Sequence, residues 1–263
     1  MNLRFSRKQL GIPYAVFLIC FVVAPLLVVL YYAFTNGSGQ FTAGNFINFF
    51  TDENTIGTLC YSLVVAATVT VCCTLVAYPV AYILARSDIK KKNVLLVLFI
   101  APMWINFTLR VVALKEVLTM VEGNLAYHPF LNTVLGMTYD FLPFMILPLY
   151  TTLEKLDKSY LEAAADLGAS PVITFIKVTL PLSMPGLISG VTMVFLPSMT
   201  NYVILDMLYN STYIMGSLIG SYFHAYDWNS GSMISIVLLA IIFLVTWATN
   251  GFSEEETTRG AFL

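Results

Sequence analysis

The run LCYSLVVAATVTVCCTLVAYPVAYIL, residues 59–84, contains no charged side chain. An α-helix rises about 1.5 Å per residue, so about 20 apolar residues are enough to cross the hydrocarbon core of a bilayer. This run has that length and is bounded by polar sequence on both sides. We therefore predict a membrane-spanning helix over Leu59–Leu84.

The composition of the whole chain also indicates a membrane environment. Of 263 residues, 58% are hydrophobic and 11% are charged, and the mean hydropathy is +0.80. Soluble domains carry about a quarter charged residues, so a chain with this few could not cover its folded surface in water. A soluble enzyme is excluded, and the chain has no basic surface that would suit nucleic acid.

Further apolar runs alternate with short polar segments, which predicts an all-α membrane protein with one transmembrane domain over residues 1–263. The first run exceeds the apolar core of a signal peptide and lacks a small-x-small cleavage site, so we expect it to stay as an anchor. The six predicted spans are Gly11–Phe34, Leu59–Leu84, Val94–Leu114, Asn132–Leu153, Pro185–Leu208 and Ser232–Asn250.

The basic residues predict how these spans are oriented. Eleven of the 13 lysines and arginines fall on one side of the predicted bundle, and the opposite side has only Arg110 and Lys115. Because basic loops stay in the cytoplasm, we expect both termini and the loop 154–184 to be cytoplasmic. The eleven residues are Arg4, Arg7, Lys8, Arg86, Lys90, Lys91, Lys92, Lys155, Lys158, Lys177 and Arg259.

Prolines and small residues within the spans indicate kinked, closely packed helices. In lipid a proline is tolerated where neighbours or a cavity satisfy the freed carbonyl groups, and transporters build sites from such helices. The pairs Gly186/Gly190 and Gly216/Gly220 have the small-xxx-small spacing that lets helices approach closely. Both patterns also occur in inert bundles, so they favour transport only modestly.

No motif for chemistry is present. The sequence lacks a G-x4-G-K-[ST] phosphate loop, and its four cysteines form neither a CxxC pair nor a Cys/His cluster. His128 and His224 lie far apart in predicted outer loops, where surface histidines are ordinary. We expect a chain that is not an enzyme, with no metal and no cofactor of its own.

The loop Glu154–Met184 differs from a simple linker. Ser159 followed by Glu162 is a capping-box pattern that predicts a helix start, and Gly168 predicts a left-handed turn at its end. Ser170-Pro171 then predicts a second helix, with Leu180-Pro181 as its stop. A helix–Gly–helix unit of this kind fits docking to another protein or an amphipathic hairpin lying on the membrane, and the pattern leaves both open.

The same loop resembles the EAA motif of bacterial ABC importer permeases, E-A-A-x3-G-x9-I-x-L-P. The chain matches it, with Val178 in place of the family's isoleucine. The resemblance implies a coupling helix that seats in a cleft of an ATPase dimer holding ATP and Mg²⁺. It also implies a second homologous permease and an extracytoplasmic binding protein as partners. The implied ATPase contacts are Glu162, Ala163, Ala164, Asp166 and Gly168.

Two carboxylates lie in or near the predicted spans, Asp140 in the fourth and Asp206 toward the outer end of the fifth. A charged group inside the bilayer costs about 2.5–3.5 kcal/mol on insertion scales, so such groups are retained where they face a cavity, a base or a cationic substrate. Amide and aromatic groups that attract ammonium ions accompany them. An aromatic belt and helix-packing amides explain the same residues. These candidates for the substrate pathway are Asp206, Trp104, Asn106, Tyr202, Asn201 and Asp140.

Three segments resemble spermidine/putrescine importer permeases, in particular the first (B-type) subunits. Residues 101–110 match P-x-W-x-N-x-x-x-R, residues 142–158 run from Leu142-Pro143 to Asp157-Lys158, and Leu196-Pro197 precedes Asp206. The resemblance implies a multi-pass permease of the bacterial cytoplasmic membrane that imports polyamines by alternating access. A permease of the same family for another small solute, and a small membrane channel or scaffold, remain as alternatives.

Overall fold

The fold is described from a computed structural model. It describes residues 11–87, 90–209 and 213–260, with side chains as far as residue 247. Arg4, Arg7 and Lys8, which help to orient the predicted first span, lie outside this part of the chain, as does the side chain of Arg259.

Helices account for the regular structure of the described residues, beside an isolated antiparallel bridge between Thr35 and Phe41. Successive segments that continue one another are numbered here as one helix. In chain order they are α1 (Gly11–Ala33), α2 (Gly44–Thr51), α3 (Glu53–Arg86), α4 (Lys92–Trp104), α5 (Phe107–Glu122), α6 (Pro129–Lys155), α7 (Ser159–Asp166), α8 (Pro171–Thr200), α9 (Tyr202–Leu208), α10 (Met215–His224) and α11 (Trp228–Gly260).

The prediction of an all-α protein with several membrane spans is confirmed. Within the described residues five helices are long and apolar enough to cross a bilayer, and α4 with α5 makes a sixth if the bent pair counts as one span. The five are α1, α3, α6, α8 and the part of α11 from Trp228 to Trp247. The orientation of the termini stays a prediction.

The predicted third span, Val94–Leu114, is wrong as a single helix. The chain bends by 98° between α4 and α5. Pro102 lies in a 3-10 turn over Ala101–Trp104, and Ile105 is extended with ψ 144°. Asn106 then starts α5 by accepting hydrogen bonds at Oδ1 from the Thr108 and Leu109 backbone N–H groups, at 3.0 and 3.4 Å.

The predicted stop at Leu180-Pro181 is also wrong, because α8 continues through it from Pro171 to Thr200. Phe175–Thr179 forms a π-helical segment just before the proline. A π turn shifts the register of the hydrogen-bond ladder, so the missing N–H of Pro181 falls where a donor is already displaced. The predicted fifth span, Pro185–Leu208, is instead divided at Asn201, which separates α8 from α9.

The described residues group into two compact units. The smaller comprises residues up to Gly57 together with Leu218–Ile241. Within it, the Asn229 side-chain amide donates to the carbonyl groups of Tyr32 and Thr35 at 3.0 and 2.6 Å, and that of Asn45 donates to Ala33 and Thr35 at 3.0 and 2.9 Å. These amides tie the end of α1 to its neighbours. The single-domain prediction stays a prediction, since contact groups within a chain need not fold separately.

The larger unit comprises Thr58–Ser217 and the chain from Ile242. Its most extensive helix contact joins α6 and α8, and two glycines of α8 make that approach possible. A Cβ atom on Gly186 would lie 2.7 Å from the Pro148 carbonyl oxygen, and one on Gly190 would lie 2.5 Å from the Met145 sulfur. The close packing predicted for this glycine pair is confirmed. Gly216 lies even closer to its neighbour, because a Cβ atom there would collide with the Thr200 carbonyl group.

Candidate functional site

The helix α7 begins without the predicted capping box. Ser159 is its first helical residue and Glu162 is exposed rather than bonded back to the helix start. The Asp157 carboxylate instead accepts the Ser159 backbone N–H at 2.9 Å. This bond stabilises the ionised form, so the pKa of Asp157 lies below its usual value. The charge is therefore in place at every pH above the usual aspartate range and is lost only as the pH falls through the lowered pKa.

The left-handed turn predicted at Gly168 is confirmed, with φ +76°. The Gly168 N–H donates to the Ala165 carbonyl group at 2.9 Å, and the Ala169 N–H donates to that of Ala164 at 3.0 Å. This pair of bonds is a Schellman motif, which satisfies carbonyl groups that the end of α7 would otherwise leave free.

The start of α8 also follows the prediction. The Ser170 hydroxyl accepts the Ile173 N–H at 3.4 Å, and Pro171 occupies the first helical position. The two helices and the turn therefore form one capped unit, residues 157–176, which we call the coupling unit.

The coupling unit presents an uncovered surface. Glu162, Ala163, Asp166 and Gly168 are exposed, whereas Ala164 is buried. Apolar side chains lie among them, with Leu167 88% exposed. Small, acidic and apolar groups side by side suit contact with another protein. The exposed apolar residues of the unit are Tyr160, Leu167, Val172, Ile173 and Ile176.

The polar candidates of the fifth predicted span lie at the division between α8 and α9. The Asn201 backbone N–H donates to the Pro197 carbonyl group at 2.8 Å, which ends α8. Tyr202 is half-buried and packs against the apolar core, and Asp206 on α9 is exposed. Ile204, Leu205 and Leu208 form the buried face of the same helix. Asp206 therefore points away from the core of the larger unit.

The candidates of the third predicted span lie at the bend between α4 and α5. Trp104 is 77% exposed. The side-chain oxygen of Asn106 is used as the cap of α5, so its amide has a structural task whatever else it contacts. The helix α9 packs against both α5 and α6, and the 3-10 turn that holds Trp104 packs against α6. Both groups of candidates thus lie on segments that contact α6.

Asp140 is not an open carboxylate. Its Oδ1 lies 2.7 Å from Nη2 of Arg110, and the two side chains are 5% and 7% exposed. The sequence counted Arg110 among the charges of the outer side, which stays a prediction, and the structure shows that the residue is buried in the first turn of α5. Only tertiary structure could bring the two residues together, since they are far apart in sequence on different helices.

Neither histidine belongs to a cluster with metal-ligand character. His128 Nδ1 lies 2.6 Å from Oε1 of Glu122, whose Oε2 accepts the Asn132 amide at 2.8 Å. These contacts close the turn between α5 and α6. No group of three or more His, Cys, Asp or Glu side chains that could hold a metal ion occurs among the residues searched, which are those the structure describes.

Comparison with known proteins gives the family. The profile of a family described as "Binding-protein-dependent transport system inner membrane component" matches residues 77–253. The spermidine/putrescine transport system permease protein PotB of Haemophilus influenzae is 34% identical, with 95% of this chain and 96% of that protein aligned. PotB of Escherichia coli is 35% identical over 75% of this chain and 79% of that protein. The chain belongs to this family of inner-membrane permeases.

Solved structures of ABC transporters share the fold of this permease. A bacterial ABC transporter involved in the import of the acidic polysaccharide alginate superposes with a TM-score of 0.71 at 13% identity, covering 94% of each chain. An alginate ABC transporter in complex with a periplasmic protein bound to an alginate pentasaccharide gives 0.75 at 12% identity, covering 94% and 93%. The permease is therefore a multi-pass inner-membrane protein with an ABC-permease fold and is a transport component.

The permease also has a polar cavity of about 300 Å³ in its smaller unit, which sequence reasoning missed. Asp52 accepts bonds from the Thr55 hydroxyl and backbone N–H, and these bonds keep its pKa below the usual value. Asp227 accepts the Ser230 N–H at 3.0 Å. Both carboxylates thus cap the starts of spanning helices, α3 and α11. The cavity is lined by Asn45, Asn48, Phe49, Asp52, Thr55, Tyr222, Asp227, Ser230, Met233 and Ile234.

Proposed function

We propose that this permease is a membrane subunit of an ATP-driven importer that carries polyamines such as spermidine and putrescine into the cell. The observation that carries the proposal is the similarity to PotB proteins, at 34% identity over 95% of the chain for the Haemophilus influenzae protein. Because the alignment covers nearly the full length, it includes residues of every predicted span, and the similarity therefore concerns the whole protein.

The energy for transport would come from a partner, because the sequence has no phosphate loop. We assign the contact with an ATPase dimer, which holds ATP and Mg²⁺, to the coupling unit. Its exposed residues Glu162, Ala163, Asp166 and Gly168 would touch the ATPase, and buried Ala164 would support the helix from behind. Capping at both helix starts and the Schellman turn keep the unit rigid, so that it can pass on closure of the ATPase as a rigid-body movement.

The other partners are a second, homologous permease and an extracytoplasmic binding protein that delivers the polyamine. The helix α1 would face the bilayer or the second permease, because its apolar side chains, such as Phe21 at 68% exposed, are not covered by the residues that the structure describes. Two permeases enclosing one path would rock between outward-facing and inward-facing states around it.

The path for the cargo would run past the exposed carboxylate Asp206. Tyr202 and Asn201 lie on the same short segment, and Trp104 and Asn106 come from the bend between α4 and α5, which also contacts α6. Carboxylates and aromatic faces both stabilise ammonium groups where water is excluded. Contacts spread over several weak groups suit transport, since one tight site would retain the cargo.

The test is uptake of radiolabelled spermidine by cells without other polyamine transporters that carry the complete transport complex. Wild-type complex is expected to take up spermidine, and the complex without this chain is not. Uptake that does not depend on the chain would refute the proposal. Uptake of a different solute by the purified, reconstituted complex, with no spermidine transport, would instead indicate a same-family permease of other specificity.

A substitution locates the path. We expect Asp206→Asn to raise the KM for spermidine by about tenfold, equivalent to about 1.4 kcal/mol, because one ammonium contact is lost. The matched control is Glu116→Gln, which changes an exposed carboxylate on a different helix, α5. It should leave KM unchanged. Equal KM values for Asp206→Asn and wild type would remove Asp206 from the path.

A further inference from the structure

The ion pair between Arg110 and Asp140 lies where the broken span meets the core of the larger unit. Arg110 is in the first turn of α5, four residues after the cap Asn106, and Asp140 is within α6. The Nη2–Oδ1 distance is 2.7 Å and both side chains are more than nine-tenths buried. The pair is therefore a direct link between the start of α5 and the middle of α6.

An arginine is an unfavourable residue at this position when it is alone. The N-terminal turn of a helix carries the positive end of the helix dipole, which repels cations and attracts carboxylates. Asp140 offsets both charges, that of the guanidinium and that of the helix end. The Phe107 ring, whose centroid is 5.9 Å from the guanidinium carbon, covers the arginine on another side. The carboxylate of α6 thus holds the first turn of α5 in place.

The contact uses only part of the guanidinium group. Nε and Nη1 of Arg110, and Oδ1 of Asp140, are buried without a hydrogen-bond partner among the described residues. A bidentate pair would add two parallel hydrogen bonds, whereas this pair is held by charge through the single Nη2–Oδ1 contact. Lysine can supply a charge and one contact, whereas glutamine cannot supply the charge.

The neighbours of the pair are the helices that carry the pathway candidates. Gly136, one turn before Asp140 on α6, lies against Ile204 and Leu208 of α9, which also holds Asp206. The bend with Trp104 and Asn106 comes immediately before the turn of α5 that Asp140 holds. The contact therefore joins α6 to the turn of α5 that directly follows the bend.

We infer that the Arg110–Asp140 ion pair is a positioning device, which anchors the bend between α4 and α5 to α6 and so places the pathway groups of the bend. This inference rests on the proposed function for the nature of the cargo. It gives Asp140 a task other than contact with the polyamine. A paired, buried carboxylate has no free charge to offer an ammonium group, and Arg110 would repel one.

The test measures KM and maximal rate of spermidine uptake by the reconstituted complex. Arg110→Gln is expected to raise KM at least tenfold, because the bend loses its anchor. Arg110→Lys should stay within about threefold of wild type. If Asp140 bound the cargo in competition with Arg110, Arg110→Gln would lower KM instead, and that result would overturn the inference, as would an unchanged KM.

Two further variants separate positioning from support of the fold. Single neutral variants leave one buried charge unpaired, which is strongly destabilising, whereas Arg110→Gln with Asp140→Asn leaves none. We expect the double variant to assemble better than either single variant and still to show the raised KM. A double variant with wild-type KM would reduce the pair to fold support. If the neutral variants do not assemble, the KM of Arg110→Lys is the test. A KM of that variant more than tenfold above wild type would overturn the inference.

The matched control is Glu154→Gln, which breaks another ion pair of the larger unit, Lys92–Glu154. That pair joins α4 and α6 at 3.1 Å, with side chains 33% and 42% exposed, so its loss should leave KM unchanged.

A second readout does not depend on the cargo. In a background without the four native cysteines, the reaction rate of Trp104→Cys with a maleimide reports the position of the bend. We expect a changed rate with Arg110→Gln and an unchanged rate with Glu154→Gln. An unchanged rate with both would overturn the inference, even if the complex proved to carry another solute.

Discussion

At the turn between α7 and α8, one glycine adopts the backbone conformation that joins two capped helices. Gly168 has φ +76°, and a Cβ atom there would meet nothing within 4 Å. The requirement for glycine is therefore purely conformational, because an L-residue in the left-handed region costs about 1–2 kcal/mol even where space is free. A β-branched side chain raises that strain further.

We expect Gly168→Val to uncouple the ATPase from transport while the permease still inserts into the membrane. The distorted turn would move the exposed face of α7 away from its partner. The measurement is spermidine-stimulated ATP hydrolysis and uptake by the assembled complex.

Gly168→Asn is the control for that variant, since asparagine tolerates the left-handed region better than other residues. It should retain most of the activity. Coupled hydrolysis and uptake at wild-type rates in Gly168→Val would show that the turn does not transmit the movement.

At the scale of elements, the approach of α8 to α6 depends on residues without side-chain bulk. Methyl or methylene groups forced into well-packed contacts cost about 1–3 kcal/mol. At Gly186 the obstacles to a methyl group are the Pro148 carbonyl oxygen, which would lie 2.7 Å from the added carbon, and the Thr152 side chain. Backbone cannot move aside as a flexible side chain can, so the helices must separate.

We therefore expect Gly186→Ala to lower the thermal midpoint of the detergent-solubilised permease. Gly57→Ala in α3 is the matched control, because no atom outside its own stretch of helix lies within 4 Å of its Cβ position. There the better helix propensity of alanine should leave the midpoint unchanged or raise it. Equal midpoints for the two variants would contradict the packing account of α6 and α8.

The helix breaks are also a matter of elements. Proline alone did not decide them: α8 passes through Pro181 by a π segment, and α6 contains Pro143 and Pro148 without ending. Before α5 the chain breaks where the Asn106 side chain caps the next helix, whereas α9 starts after Asn201 without a side-chain cap. The break before α5 is explained by the Asn106 side chain, which accepts the free N–H groups at the start of the next helix. The missing N–H of Pro102 alone does not explain it.

At the scale of the whole molecule, the distribution of basic residues predicts which loops face the cytoplasm. Lys90 lies in the loop between α3 and α4 and is exposed, and Tyr127 lies in the turn between α5 and α6 and is 72% exposed. These two positions sit on opposite sides of the predicted membrane, so they test the orientation directly.

In a cysteine-free background, we expect Tyr127→Cys to react with a membrane-impermeant maleimide in intact spheroplasts. Lys90→Cys should react only after the membrane is permeabilised. The reverse pattern would invert the topology and would place the coupling unit outside the cell, away from any ATPase.

The sequence predicted the fold class and the coupling turn because these depend on local or cumulative properties. Apolar length determines whether a segment can cross a bilayer, and Gly168 and Ser170-Pro171 act through their own backbone and hydrogen bonds. The helix start at Ser159 was predicted, but its partner was not, because Asp157 and Glu162 are both plausible acceptors in a linear pattern.

The amino-acid sequence by itself determined that this chain is a membrane protein, how many apolar segments it has, and which loop resembles a docking motif. Only the tertiary structure decided that the third segment bends by 98°, that Asp140 is held by Arg110, and that Asp206 is left exposed. The physical reason is that the fate of a charge inside a membrane depends on its neighbours in space. A partner on another helix, distant in sequence, leaves no periodic signal.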